Sequence, residues 1–141
     1  MSGSEQRIFQ ARSEQLALAT AFVEDFCARQ AVASGDALRL TLIVEELFSN
    51  LLMHGHRGAH DCPVHIELHA APTQLTLRFA DRAPRFDPLH YLAQMPPLDS
   101  PAEERKPGGL GLPLVARMSA SFEYAHVDGF NSLRLVLGRE G

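Results

Sequence analysis

Residues 43–56 read IVEELFSNLLMHGH, and how this stretch is read decides the fold. Leu40, Ile43, Val44, Leu47 and Leu51 recur at helical spacing, so the segment 36–55 is expected to form an amphipathic helix with one buried stripe. Glu46 and Asn50 flank that stripe rather than oppose it. Four residues apart, they stack on one helix face with Cβ atoms about 5–6 Å apart and look sideways into whatever cleft borders the core. A carboxylate there can accept a proton from an attacking hydroxyl or water. An amide there offers a neutral oxygen to Mg²⁺, which keeps several waters and takes other ligands from substrate phosphates. The same spacing is common on solvated helix edges, so its weight comes from its surroundings.

Upstream, Leu16, Ala19, Phe22, Val23 and Phe26 mark another helix, with Ser13 as its expected N-cap. Ser34-Gly35-Asp36 is expected to break it and cap the next. Residues 7–10 give a faint strand signal. Downstream, Val64, Ile66, Leu68 and Ala70 alternate with His65, Glu67 and His69. After a turn around Pro72, Leu75, Leu77 and Phe79 alternate again, so the two runs form a hairpin. Asp81 ends its second strand, where a carboxylate can accept a hydrogen bond from an exocyclic amine, the group that separates adenine from guanine. Aspartate is also ordinary turn chemistry at strand ends.

Residues 82–107 hold six of the nine prolines and no strong period. A structureless insert of that length usually serves a function, here as a lid. Phe86 would pack the start of this loop under a base or simply cap the core, and Arg105 and Lys106 at its end can reach a terminal phosphate or stay as solvated charges. Gly108-Gly109-Leu110-Gly111 then leads into a third helix marked by Leu112, Leu114, Val115 and Met118, with Pro113 tolerated in the first turn. Glycines let backbone N–H groups approach phosphates, and a helix N-terminus adds partial positive charge. The run is neither a Walker A loop nor a GxGxxG fingerprint. Residues 122–127 and 131–137 close the chain as a hairpin turned by Asp128-Gly129. The order of helix, helix, hairpin, long loop, helix, hairpin implies an α+β sandwich: one mostly antiparallel sheet with about three helices on one face.

The bulk properties narrow the class. A chain of 141 residues buries about two thirds of its unfolded surface, enough for one core, so residues 1–141 are expected to form a single domain. Apolar residues make up 45% of it, which favours folding. A net charge of −4 offers no basic footprint for nucleic acid. No stretch approaches the roughly 20 apolar residues of a membrane span, and the first residues do not read as a secretory signal. Cys27 and Cys62, distant and without CxxC spacing, read as reduced thiols of a cytoplasmic protein. His54, His56, His60 and Cys62 can each ligate zinc, but their spacing matches no standard finger or ribbon, and loop histidines are the default.

Taken in order, these pieces resemble the Bergerat-fold ATPases shared by gyrase, MutL and the histidine kinases. IVEELFSNLLMHGH is similar to their N box, DRAPRFDP to their first glycine box and PGGLGLPLVARMSASFEY to their second. The wording looks most like the short stand-alone anti-sigma factors that are also serine-protein kinases. In those, an E-E-x-x-x-N-x-x-x-H helix, an F-D-P after the aspartate and a closing G-x-N-x-L strand (Gly129, Asn131, Leu133) recur. The resemblance covers nearly the whole chain. It implies ATP with Mg²⁺, Glu46 as catalytic base, Asn50 as metal ligand, Asp81 as adenine contact, and Gly109 and Gly111 as phosphate loop. Ala83, Phe86 and Arg105 from the lid would join the nucleotide site, together with Gly108, Leu110 and Leu112. His54 falls at the N-box histidine. Ala83 is a departure, since that box normally carries glycine two residues after the aspartate.

By the same resemblance the partners are a STAS-domain antagonist and a sigma factor or related regulator, with self-association as a homodimer. A binding module that sequesters its partner without catalysis is the alternative, and Ala83 speaks for it. No phosphoacceptor helical hairpin precedes these boxes and no transducer domain follows, so a full sensor histidine kinase or a gyrase-type machine is not expected.

Overall fold

The computed structural model describes residues 2–54, 62–82, 87 and 111–140, with the side chains of His54, Gly111 and Leu112 left out of the description. Strand β1 (Gly3–Gln10) leads through a 3-10 turn (Ser13–Gln15) into helix α1 (Leu16–Arg29) and then α2 (Ser34–His54). Strands β2 (Pro63–Ala70) and β3 (Gln74–Asp81) follow. Helix α3 (Gly111–Met118) precedes strands β4 (Ser121–Val127) and β5 (Phe130–Gly138). The five strands form one sheet in the order β1-β2-β3-β5-β4, every neighbouring pair antiparallel. This is the expected α+β architecture. The last hairpin inserts β5, not β4, beside β3, which brings Asn131 opposite Asp81.

Period-two patterning sorts the sheet into two faces. Val64, Ile66 and Leu68 on β2, Leu75, Leu77 and Phe79 on β3, and Leu133, Leu135 and Leu137 on β5 are buried in one cluster with the stripes of α1 and α2. Phe26 and Phe48 are fully buried helix contributions, each removing roughly 1.5–3 kcal/mol of apolar surface from water. The opposite face carries Glu67, Arg78, Arg134 and Glu123 across β2, β3, β5 and β4, all exposed. The final turn has Asp128 at φ 54° and Gly129 at φ 81°, the paired positive φ values that a two-residue hairpin requires.

Three local expectations differ from the structure. β1 runs the full eight residues, Gly3–Gln10, not four. Among its residues only Phe9 is buried, so pairing with β2 fixes it where hydrophobic alternation is weak. Ser13 makes no helix cap: it starts the 3-10 turn, and its hydroxyl meets Glu14 at 3.4 Å. The first helix ends at Arg29, ahead of Ser34-Gly35-Asp36, because Ala31 adopts φ 53° and the Val32 N–H returns to the Cys27 carbonyl. Ser34 and Gly35 already belong to α2.

Candidate functional site

Phe48 sits on α2 between Glu46 and Asn50, and Phe79 sits on β3 two residues before Asp81. Their rings meet edge to face at 6.5 Å, interplanar angle 83°. Both are buried, so this contact sets how α2 lies across the sheet. It brings the helix turn carrying Glu46 and Asn50 to the Asp81 end of β3. Glu46 and Asn50 are half-buried, as residues flanking a buried stripe should be. Helix α3, which begins at Gly111, packs on α2, with Val115 fully buried.

Asp81 belongs to the buried face of β3, at 8% exposure. Asn131 Nδ2 donates to Asp81 Oδ1 at 3.2 Å, and the Tyr124 hydroxyl donates to Asn131 Oδ1 at 2.7 Å. Chemistry forces that direction. An ionised carboxylate only accepts, so the amide turns its NH₂ to Asp81 and its oxygen to the phenol, which must donate. The residue after Asp81 leaves the site: the Arg82 guanidinium lies 4.6 Å from the Phe130 ring centre, a cation–π contact that ties the first residue of the 82–107 segment to β5.

Ala83, Phe86, Arg105, Gly108, Gly109 and Leu110 lie outside the described residues, as do Lys106, His56 and His60 and nearly all of the expected lid. The structure therefore describes Glu46, Asn50 and Asp81, whose elements meet at the Phe48–Phe79 contact, and leaves the glycine run to the sequence. Among the described residues no group of three or more His, Cys, Asp or Glu side chains could hold a metal. What the helix does offer is one amide oxygen beside one carboxylate, a donor set suited to a cation that takes its other ligands from phosphate and water. Burial pushes the Cys27 thiol up to about 11, so it is no nucleophile at neutral pH. No described helix is long and apolar enough to cross a membrane.

Tyr124 was not singled out from the sequence, where it only closes the second glycine-box stretch. It lies in the last hairpin and pairs with Leu133, two residues from Asn131 on the same face.

Known proteins share the family and the fold. Residues 9–137 match the profile of the histidine kinase-like ATPase domain. The serine/threonine-protein kinase BtrW of Bordetella bronchiseptica is 31% identical over 97 residues, covering 69% of this chain and 67% of that protein. A chain in the crystal structure of the SiaB–SiaC complex from Pseudomonas aeruginosa superposes with a TM-score of 0.56 at 16% identity, covering 93% of this chain and 88% of that one. The mycobacterial sensor histidine kinase MprB gives 0.51 at 19% identity, covering 96% and 100%. At such identities these two likenesses speak for the fold alone.

Proposed function

This chain belongs to the histidine kinase-like ATPase domain family, and we propose that it is a protein-serine kinase that doubles as an anti-sigma factor in a partner-switching module. The observation that supports the reading is the Phe48–Phe79 contact, which sets the α2 turn between Glu46 and Asn50 against β3 two residues before Asp81. The kinase name of the Bordetella relative supports it.

ATP bound with Mg²⁺ supplies the phosphoryl group. The Asp81 carboxylate accepts the adenine amine, Asn50 holds the cation through its amide oxygen, and Glu46 takes the proton from a serine hydroxyl. Backbone N–H groups of Gly109 and Gly111 face the phosphates, Arg105 answers the terminal one, and residues 82–107 cover the nucleotide. Phosphoryl transfer asks a protein mainly for alignment and charge neutralisation, which these groups provide. The acceptor is a serine on a STAS-domain antagonist, the second partner is a sigma factor or related regulator, and the chain works in the cytoplasm as a homodimer. The neighbour captured as a SiaB–SiaC complex is in keeping with a protein partner.

The test joins calorimetry to phosphotransfer. With Mg²⁺ the chain should bind ATP or ADP in the micromolar range and prefer them to GTP. Incubated with a STAS-domain protein from the same genome, it should transfer phosphate to serine. Glu46→Gln should keep binding while transfer falls by roughly two or more orders of magnitude. Adenine binding without any transfer would instead make the chain a non-catalytic sequestering module, and no ATP binding would end both readings.

A further inference from the structure

We infer that Tyr124 and Asn131 are positioning residues that set adenine specificity by fixing the carboxylate of Asp81. This rests on the nucleotide reading above and deepens it. The terminal torsion of an aspartate is broad, so a carboxylate at a strand end does not by itself hold one plane. Here Asn131, 5% exposed, grips Asp81 Oδ1, and Asn131 is in turn held by the half-buried Tyr124 hydroxyl. The three residues stand on three adjacent strands, β3, β5 and β4, so the chain of donors runs across the sheet into the carboxylate. Each link polarises the next in a poorly hydrated interior. Without the phenol the Asn131 oxygen loses that donor, and the grip of the amide on Asp81 Oδ1 loosens. Discrimination between purines then depends on a hydroxyl two strands away from the base contact.

The test measures affinity of the full chain by calorimetry for ADP and for purine riboside 5′-diphosphate, which lacks the exocyclic amine. Tyr124→Phe should weaken ADP about fivefold, the scale of one hydrogen bond, and leave the analogue within about twofold. Asn131→Leu should weaken ADP about tenfold or more. In that background Tyr124→Phe should cost less than about twofold more, because its effect travels through Asn131. A network that only braces the sheet would lower both ligands together, and additive losses in the double variant would break the link; either result overturns the inference while the nucleotide reading stands. A wild-type chain that binds neither ligand overturns both.

Discussion

Opposite ends of the β3–β5 strand pair each bury a carboxylate, and the two are held for different ends. Near Gln74 and Gly138, Asp36 is 1% exposed and accepts on both oxygens: Arg39 at 2.6 Å and the Glu140 backbone N–H at 2.8 Å. Arg39 also donates to the Gly138 carbonyl at 2.8 Å, and Arg139 donates to the carbonyls of Ala71, Gln30 and Ala31. That end is a clasp, in which charge and chain terminus close on each other. At the other end Asp81 is gripped by a neutral amide. An arginine partner makes a buried carboxylate part of a charged fastening, whereas the amide of Asn131 gives Asp81 a directional hydrogen bond. On the proposed reading, the comparison separates stability from recognition within one strand pair.

Removing the clasp should have the largest effect on folding. Asp36→Ala should lower unfolding free energy by about 2–3 kcal/mol in urea denaturation, less than a wholly buried ion pair would lose, because the Arg39 side chain is 31% exposed. Nucleotide affinity per folded molecule should stay unchanged. Asp81→Asn should do the reverse, weakening ATP at least roughly tenfold, about 1.4 kcal/mol, while stability shifts by less than about 1 kcal/mol. If both variants lose stability alike and neither changes binding, the two ends do not differ in role.

Smaller changes sharpen the picture. Ala31 at φ 53° carries a left-handed cost that glycine escapes, offset in part by glycine's freedom when unfolded. Ala31→Gly should therefore raise unfolding free energy by about 0.5–1 kcal/mol, seen as a higher thermal midpoint. No gain would mean that the freedom of glycine in the unfolded chain cancels the relieved strain. The smallest effect belongs to Glu5–Arg29, a two-pronged pair at 2.8 and 2.5 Å on the outside of the fold. The hydrogen bond from Arg29 holds the Glu5 carboxyl below its ordinary value. Its stabilisation is thus complete above the ordinary carboxylate range and lost as pH falls through the lowered folded value. Glu5→Gln should melt slightly below wild type at neutral pH, and the gap should close as pH falls through the lowered carboxyl value. A gap independent of pH would assign it to packing instead of charge.

Residues that act through neighbours in the chain were readable in advance. The stripe from Leu40 to Leu51 specifies its own helix, Asp128-Gly129 its own turn, and the alternation in β2 and β3 its own faces, because each signal and its consequence lie within a few residues. The candidacy of the Glu46–Asn50 pair and Asp81 rests on the same kind of local signal, helped by the ordered boxes of the family. What failed were features whose energy comes from elsewhere. β1 exists because β2 pairs with it, and α1 stops at a left-handed Ala31 that Arg139 reaches from the far end of the chain.

By itself the sequence determined the element types, which residues turn inward and the kinds of group available for chemistry, since side-chain polarity and backbone periodicity are local properties. Only the tertiary structure decided that β5 lies against β3 across the whole intervening segment. Periodicity says which face a strand buries, never which strand lies beside it, so the hydrogen-bonded line from Tyr124 through Asn131 to Asp81 came into being with that pairing.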